Sequence, residues 1–253
     1  MKISIITVVL NNVATIKDTI NSVLSQTHGS IEYIIVDGKS TDGTIEIVQS
    51  YGDKIDKFVS EKDKGLYDAM NKGISLATGD IIGFLHSDDY YVDTEVLSKV
   101  SNEFSKNRSL EACYSDLIYI HQSDSSRIIR YWKSSKFTPG SFSKGWSPPH
   151  PTFFVKRDMY QKFDTFNLKY CISSDIELMI RFLEVHKINV DYIPGLWVKM
   201  RMGGISTRRK NLLKQNIEVL SALDSHNLSK NIFIFFTYKI ISRLKQLFQR
   251  PIC

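Results

Sequence analysis

The chain has 253 residues, of which 42% are hydrophobic and 24% charged, so its composition is that of an ordinary globular protein. The net charge is +6 and the isoelectric point about 9.0, which favours anionic partners such as nucleotide phosphates, nucleic acid or an anionic membrane surface. The three cysteines lie far apart and form no CxxC pair, which argues against a disulfide framework or a zinc site. A reducing cytoplasm fits this cysteine usage best.

The N-terminal apolar run, residues 3–10, ends at Asn11 without a cleavage-like sequence. We therefore expect a first strand there rather than a signal peptide. No run of about 18 apolar residues occurs, so we expect no transmembrane helix.

Short apolar runs alternate with helical apolar stripes over the first 90 residues. Strands are predicted at residues 3–10, 31–36, 57–60 and 81–85. Between them, apolar residues such as Ile16, Ile20 and Val23 recur every three or four positions, which indicates amphipathic helices. This alternation predicts a parallel sheet with helical crossovers.

The pattern changes near residue 110. Two strands around a polar turn, at residues 112–121 and 127–133, predict a hairpin. Further short strands are predicted at 152–155, 189–193 and 196–200, and helices at 96–104, 175–185, 208–225 and 230–249. We divide the chain into residues 1–110, residues 111–206 and the C-terminal helices of 207–253, and expect the first two parts to share one sheet.

Asp88 and Asp89 directly follow the strand at 81–85, where it leaves the predicted sheet. Ligands of open α/β sheets bind at this edge. Two adjacent carboxylates suit Mg²⁺ or Mn²⁺ bridging to a diphosphate. The alternative is a solvated turn, since Asp is a common turn residue.

Two other polar stretches flank sheet edges. Asp37 ends the second strand, where an acid can accept hydrogen bonds from a base or ribose, although it can equally be a turn residue. The block Glu61–Gly73 is unusually polar for a sheet edge entering a helix. Its Lys64, Asn71 and Lys72 can reach phosphate or sugar hydroxyls, with a solvated helix face as the alternative for each.

Three residues of the second half are candidates for the reacting centre. His150, in a proline-rich loop, can contact a diphosphate or complete a metal shell, or simply be hydrogen-bonded. Trp146 can stack on a sugar or pack in the core. Asp175 stands at a helix start, either as a cap or as a general base for an acceptor hydroxyl.

The glycine loop Gly203–Gly204 leads into a basic helix start at Arg208. Backbone NH groups at a helix start suit phosphate, and the loop could close over a diphosphate. An interdomain hinge is the alternative. Arg201, just before this loop, is a further candidate for a diphosphate or acceptor contact.

Apolar residues alternate with Lys239, Arg243, Lys245 and Arg250 in the C-terminal stretch 230–249 and just beyond it. This pattern is typical of a basic amphipathic helix in a membrane interface. The alternative is packing on the domain or on a second subunit, as in a homodimer.

The order of these blocks resembles glycosyltransferase family 2, enzymes of the GT-A fold. The matching blocks are Ile3–Asn12, Asp37–Thr44, Glu61–Gly73 and Gly79–Asp89, with weaker similarity at His150–Arg157, Ser174–Arg181 and Gly203–Ser206. The resemblance is strong over about residues 1–100. It is closest to small bacterial transferases that build capsule, exopolysaccharide and lipopolysaccharide O-chains.

The resemblance implies roles for individual residues of an α/β, Rossmann-like GT-A sheet. Asp37 would contact the base, Asp88 would be the metal-binding acid of a DxD-like motif with Asp89 beside it, and Asp175 would be the catalytic base. His86 stands where the family has the first Asp of that motif. The other nucleotide-sugar candidates are Thr7, Val8, Val9, Asn11, Lys64, Asn71, His86 and Ser87, the first three mainly through backbone.

The implied activity is inverting, metal-dependent transfer of a hexosyl or N-acetylhexosaminyl group from a nucleotide-sugar, commonly a UDP-sugar. The cofactor would be Mn²⁺ or Mg²⁺, and the acceptor lipid-linked or a saccharide. The enzyme would be cytoplasmic, peripheral on the inner face of the cell membrane. No RRM, KH or helix-turn-helix pattern occurs, so we expect no nucleic-acid partner.

Two alternatives remain open at this point. A nucleotidyltransferase also uses an α/β sheet and metal-binding acids, but no glycine-rich loop with Arg or Lys occurs near the N-terminus. A non-catalytic relative acting as a scaffold is the other, although Asp37, Asp88 and Asp175 are all present.

Overall fold

The computed structural model describes residues 1–203 and 209–249. The strands in this part of the chain are β1 (Ile3–Val9), β2 (Ile31–Asp37), β3 (Lys57–Ser60), β4 (Ile81–Phe84), β5 (Tyr90–Tyr91), β6 (Ala112–Ile120), β7 (Ile128–Trp132), β8 (Phe154–Lys156) and β9 (Val190–Arg201). The helices are α1 (Ile16–Leu24), α2 (Thr44–Gln49), α3 (Leu66–Leu76), α4 (Val96–Lys106), α5 (Arg157–Phe163), α6 (Ser174–Ile180), α7 (Arg209–Ser225) and α8 (Ile232–Phe248). The strands form a single sheet in the order β3-β2-β1-β4-β8-β6-β9-β5, with β7 also paired to β6.

The first half of the sheet is parallel, as the sequence predicts. Strand β1 pairs in parallel with β2 and β4, and β2 with β3. Every residue of β1 is buried because helices cover both faces of the sheet. Ile6 and Val8 join the core beneath α3, whereas Ile5 and Val9 join the opposite core beneath α1 and α4.

The second half of the sheet is mixed. Strand β8 pairs antiparallel with both β4 and β6, and so joins the two halves. Strand β6 runs parallel to β9 and antiparallel to β7, which confirms the predicted hairpin. Strand β5, which the sequence did not indicate, closes the edge by pairing antiparallel with β9.

The sequence pattern wrongly predicts two strands where the structure has one. The segments predicted separately at 189–193 and 196–200 form the single strand β9. The register against β6 shifts around Tyr114 and Asp116, which accommodates Pro194 and Gly195 within the strand. Gly195 has a φ of +150°, and its carbonyl oxygen accepts a hydrogen bond from Ser115 Oγ.

The helix predicted at 175–185 consists of α6 followed by a π-helical turn, Arg181–Val185. Arg181 anchors this turn, because its Nε donates to Glu177 Oε1 at 3.0 Å and its NH2 to the Thr165 carbonyl at 2.7 Å. Those contacts tie α6 to the end of α5, a short helix that the sequence analysis missed.

Helices α7 and α8 complete the chain. Val219, Ala222 and Leu223 of α7 are buried, and the last two pack in the core beneath α6. Helix α8 packs across β7 and the short turn Phe142–Lys144. Within residues 1–203 and 209–249, no helix combines the length and apolarity needed to cross a bilayer.

Candidate active site

The loops after β1 and β4 form one connected edge at the carboxyl ends of these strands. Asn12 Nδ2 donates to Ser87 Oγ at 2.8 Å, and Thr15 Oγ1 donates to the Ser87 carbonyl at 2.8 Å. Ser87 is buried and joins these two loops, and its contact with the nucleotide-sugar stays a prediction.

Asp37 lies fully buried at the end of β2 and has one oxygen free. Its Oδ2 accepts hydrogen bonds from Ser60 Oγ at 2.7 Å and from the backbone NH groups of Lys39 and Ser40, both at 3.0 Å. Its Oδ1 has no hydrogen-bond partner among the described residues. Because buried acceptors are normally paired, this oxygen is a candidate contact for an NH or OH donor of a ligand.

The end of β1 can contact a nucleotide only through its backbone, because its side chains are buried. Thr7 Oγ1 donates to the Leu85 carbonyl at 2.8 Å and lies 3.1 Å from Tyr33 Oη, inside the core. The side chains of Val8 and Val9 are also buried. The backbone role that the family resemblance implies for these residues stays a prediction.

Asn11 joins the loops after β1 and β2. It is exposed, has a φ of +50°, and its Oδ1 accepts a hydrogen bond from the Thr41 NH at 2.8 Å. Its own NH donates to Ser40 Oγ at 2.8 Å. The Asn11 side chain therefore shapes the edge beside Asp37.

Asp88 and Asp89 differ sharply in exposure. The Asp88 carboxyl is partly exposed, whereas Asp89 is fully buried. Asp89 Oδ1 accepts a hydrogen bond from the Arg201 NH at 3.3 Å, and its Oδ2 has no partner within residues 1–203 and 209–249. Burial, with the charge of Asp88, raises the pKa of Asp89 well above its ordinary value. The sequence treated these acids as a pair, but only Asp88 is open to solvent.

Arg201 holds the Asp88–Asp89 loop in place. Its NH1 donates to the Asp88 carbonyl at 3.0 Å and its NH2 to Asp18 Oδ2 at 2.5 Å. The guanidinium also lies over the Tyr90 ring, 5.0 Å from its centroid. Arg201 thus forms a clamp between β9, α1 and this loop, and its contact with a diphosphate or acceptor stays a prediction.

His86, His150 and Asp175 come together although they are far apart in the sequence. The two imidazole centroids are 5.4 Å apart, and His150 Nδ1 lies 3.4 Å from Asp175 Oδ2. Burial lowers the pKa of His150 to about 4, and burial together with the nearby His150 lowers that of His86 to about 4. Both rings are therefore neutral near pH 7.

Burial raises the pKa of Asp175, a direction that suits a general base at neutral pH. The charges of Asp88 and Asp175 both oppose the lowering of the His86 pKa, so both acids are near enough to this ring to interact with it.

Two further helices fix the position of Asp175. Tyr67 Oη, on α3, is 2.9 Å from Asp175 Oδ1 and 2.8 Å from the Ile172 carbonyl oxygen, so its one proton is shared between them. Glu218, on α7, accepts hydrogen bonds from the NH groups of Cys171, Ile172 and Ser173 at 2.8 to 3.2 Å. Sequence reasoning missed both residues, although Tyr67 lies within the polar block Glu61–Gly73.

The basic and amide residues of that block mainly serve the fold. Asn71 exchanges two hydrogen bonds, each of 2.9 Å, with the backbone of Phe166, which occupies both ends of its amide. Lys72 lies 2.9 Å from Glu61, 2.6 Å from Asp63 and 3.6 Å from Asp68. These contacts favour a role in the fold for both side chains, and their assignment to a sugar or phosphate stays a prediction.

The remaining candidates are scattered. Lys64 is exposed at the start of α3, where its side chain is free to approach a ligand. Trp146 packs among aromatic rings, 5.6 Å from Phe142 and 6.0 Å from Tyr114, which favours the core-packing alternative. Gly203 is exposed directly after β9. The predictions for Gly204 and Arg208 fall outside the described residues.

A divalent cation fits this site only with the help of its ligand. In the part of the chain that the structure describes, no group of three or more His, Cys, Asp or Glu side chains is placed to hold a metal. Mg²⁺ in phosphate-transfer sites is commonly bound by one or two carboxylates plus substrate phosphates. The open carboxylate of Asp88 fits that arrangement, whereas buried Asp89 does not.

The fold and the acids at its sheet edge define the class of protein. The profile described as Glycosyl transferase family 2 matches residues 4–164, more than half of the chain. The chain therefore belongs to glycosyltransferase family 2, as its motifs suggested, and is a glycosyltransferase. The nucleotidyltransferase alternative is thereby set aside.

Two relatives illustrate the similarity in sequence. A PGL/p-HBAD biosynthesis glycosyltransferase of Mycobacterium tuberculosis is 29% identical over 181 residues, covering 70% of this chain and 68% of the relative. The UDP-Glc:alpha-D-GlcNAc-diphosphoundecaprenol beta-1,3-glucosyltransferase WfaP of Escherichia coli is 29% identical, covering 91% of this chain and 82% of the relative.

Solved structures confirm the predicted GT-A fold. TarS 1–349 of S. aureus, in complex with UDP-GlcNAc, has a TM-score of 0.71 at 16% identity, covering 94% of this chain and 71% of that chain. PcManGT of Pyrobaculum calidifontis, with GDP-Man and Mn²⁺, has a TM-score of 0.67 at 15% identity, covering 97% and 69%. In another TarS structure, with a TM-score of 0.66, this chain spans 41% of its neighbour.

Proposed function

We propose that this protein is an inverting glycosyltransferase that moves a hexosyl or N-acetylhexosaminyl group from a UDP-sugar to a lipid-linked acceptor in bacterial surface polysaccharide synthesis. The observation that carries the proposal is the placement of Asp175 against His150, next to the loop of Asp88. This arrangement brings a base in contact with His150 and a second, partly exposed carboxylate to the surroundings of His86.

The reaction follows from these positions as a single displacement. Asp175 takes the proton of an acceptor hydroxyl while that oxygen forms its bond to the anomeric carbon. The bond between the anomeric carbon and the diphosphate oxygen breaks, and the nucleoside diphosphate leaves from the opposite face, which inverts the configuration. Asp88 would hold Mn²⁺ or Mg²⁺, which when bound neutralises the diphosphate leaving group.

The donor proposal rests on Asp37 and on the named complexes of relatives. The free Oδ1 of Asp37 can accept a hydrogen bond from a base NH, which uracil presents. Guanine presents one as well, and PcManGT was solved with GDP-Man. UDP-sugars appear in the names of WfaP and of the TarS complex, and we therefore place UDP first.

Calorimetric titration of the purified protein tests the donor proposal. We expect UDP to bind in the presence of Mn²⁺, about tenfold or more tighter than GDP and dTDP, and more weakly in EDTA, because the cation bridges Asp88 to the diphosphate. If GDP or dTDP bound more tightly than UDP, the donor would be assigned to that nucleotide instead. Lack of binding by any nucleotide to the folded protein would favour the scaffold alternative.

We further propose that α8 attaches the enzyme to the cytoplasmic face of the membrane. Phe233 is 79% exposed and Phe248 84% exposed. Apolar residues also dominate the outward face of α8 between them, and the chain is basic overall. Such a surface suits the interface of an anionic bilayer. In this division of the chain, residues 1–110 bind the donor, 111–206 the acceptor, and 207–253 the membrane.

Vesicle sedimentation tests the membrane proposal. Phe233→Glu and Phe248→Glu should each reduce the partition into anionic vesicles by about tenfold or more, because each removes a buried aromatic contact with the lipid. Leu168→Glu, at a half-exposed leucine between α5 and α6, serves as the control and should leave partition unchanged. Unchanged partition of the α8 variants, with loss of a dimer in gel filtration, would instead assign this face to a homodimer.

A further inference from the structure

Helix α8 carries its polar stripe on the side that faces the protein. Phe235 and Gln246 are buried, and Lys239 and Arg243, which lie on the same stripe, are half-buried. The outward side chains that are exposed are mostly apolar: Ile232, Phe233, Ile234, Tyr238, Ile240, Ile241, Leu244, Leu247 and Phe248. An amphipathic helix of a soluble domain normally shows the opposite arrangement.

A third cation lies under this inward stripe. Arg130 belongs to β7, the strand that α8 crosses. Its guanidinium carbon is 3.9 Å from the centroid of the Tyr119 ring and 5.8 Å from that of Trp132. Its Nε is buried and has no hydrogen-bond partner among the described residues. We call Arg130, Lys239 and Arg243 the cation cluster.

In the described part of the chain no ion pair with a carboxylate neutralises the cation cluster, although the charge of Asp175 acts on Lys239. No Asp or Glu within residues 1–203 and 209–249 forms an ion pair with any of its three members. The polar contact of Lys239 is Asn216 Oδ1, on α7, at 2.6 Å. A cation withdrawn from water without a partner is costly, so this arrangement points to an anion supplied from outside the chain.

The titration of the cluster agrees with its geometry. Burial, together with the charge of Arg243, lowers the pKa of Lys239 to about 8, and the charge of Asp175 partly offsets this. Burial, with the charge of Arg130, lowers the pKa of Arg243. Arg243 therefore interacts with both other cations, and Lys239 is close enough to Asp175 to respond to its charge.

We propose that Arg130, Lys239 and Arg243 bind the diphosphate of a lipid-linked acceptor. The inference rests on the proposed function and assigns a subsite to its acceptor. A lipid diphosphate has a charged head and a hydrocarbon tail, and α8 presents cations on its inner face and apolar residues on its outer face. The sugar attached to that head would then extend toward Asp175, which must receive the proton of its hydroxyl.

The same chemistry could come from the donor, whose diphosphate is also an anion. The position of the cluster favours the acceptor, because two of its members lie on the helix with the lipid-facing surface. The open carboxylate of Asp88 provides the other, metal-dependent diphosphate position, on the loop after β4. Donor and acceptor diphosphates would thus occupy different places on either side of the reacting sugars.

Kinetics with two matched acceptors test the proposal. One acceptor carries its sugar on an alkyl diphosphate, and the other carries the same sugar on the same alkyl chain through an ether oxygen. Arg243→Gln and Arg130→Gln should each raise the KM for the diphosphate acceptor by about 10- to 100-fold, the range for a hydrogen bond to a charged group. The KM for the ether acceptor and for the donor should not change. Lys245→Gln, an exposed cation of the same helix, is the control for surface charge.

Direct binding separates this inference from the proposed function. Farnesyl diphosphate, farnesol and inorganic pyrophosphate are titrated into the protein without donor. We expect farnesyl diphosphate to bind best, and Arg243→Gln to weaken it with no change in melting temperature. If this holds but no sugar is transferred, only the proposed function fails. The acceptor diphosphate site would be overturned if Arg243→Gln and Arg130→Gln raised the KM equally for both acceptors, or if they raised the KM for the donor. Binding of farnesol as tightly as farnesyl diphosphate would overturn it as well.

Discussion

Asp175→Asn should lower turnover by about 10²- to 10⁴-fold, the range that a general base contributes. The amide keeps the size of the side chain and can still accept a hydrogen bond from Tyr67 Oη, so the loop before α6 should stay in place. The measurement is nucleoside diphosphate release from each candidate donor with acceptor present, alongside the melting temperature by circular dichroism.

Asp158 provides a matched control because it is also an acid in the first turn of a helix, in this case α5. It is half exposed and lies 3.7 Å from Lys162, on the surface. Asp158→Asn should leave turnover nearly unchanged. If Asp175 were only a helix cap, Asp175→Asn would behave like this control and cost a little stability, and the base role would be wrong.

The pH profile gives a second measurement of the same role. Only the ionised form of Asp175 can accept a proton, so kcat/KM should fall as the pH decreases through its pKa. Burial raises that pKa above the ordinary 3.8, and the hydrogen bond from Tyr67 opposes the rise. Tyr67→Phe should therefore move the acid limb to higher pH and lower the rate about tenfold. If the acid limb of the kcat/KM profile stayed at the same pH in Tyr67→Phe, a group other than Asp175 would control it.

The parallel half of the fold could be predicted because its signals are local. The strand at 57–60 has the predicted bounds, and β1, β2 and β4 differ from theirs by only a few residues. Strands β1, β2 and β4 are short apolar runs, each followed along the chain by a further element of the alternating pattern, so the hydrophobic pattern locates them. Acids placed directly after such strands, Asp37 and Asp88, could be singled out for the same reason.

The contacts that position the candidate site could not be predicted, because most of them join distant parts of the chain. Glu218 reaches the loop before Asp175 from 45 to 47 residues away, and Arg201 contacts Asp88 across 113 residues. Glu218 stands in no pattern that distinguishes it from an ordinary surface charge, and Arg201 is singled out by the sequence for a contact with ligand, not with the Asp88 loop. Lys72 differs from these two residues, because its partners Glu61, Asp63 and Asp68 lie only 4 to 11 residues away within the same polar block, and its phosphate contact stays a prediction.

Asp88→Asn should reduce metal-dependent turnover by about a hundredfold or more, whereas Asp89→Asn should preserve the metal dependence. The two residues are adjacent in sequence, but Asp88 is open and Asp89 is fully buried. A cation bridging to a diphosphate needs an ionised, accessible carboxylate. The raised pKa of Asp89 and its contact with the Arg201 backbone suit an anchor for the loop instead.

Mn²⁺ binding separates these roles without relying on turnover. The paramagnetic signal of free Mn²⁺ is followed while the ion is titrated into protein saturated with nucleotide. Asp88→Asn should weaken Mn²⁺ binding, and Asp89→Asn should bind Mn²⁺ like the parent and change mainly the melting temperature. An equal loss of Mn²⁺ affinity in both variants would mean that Asp89 leaves its buried position to join Asp88 as a ligand. The Arg201 clamp would then have to open when the donor binds.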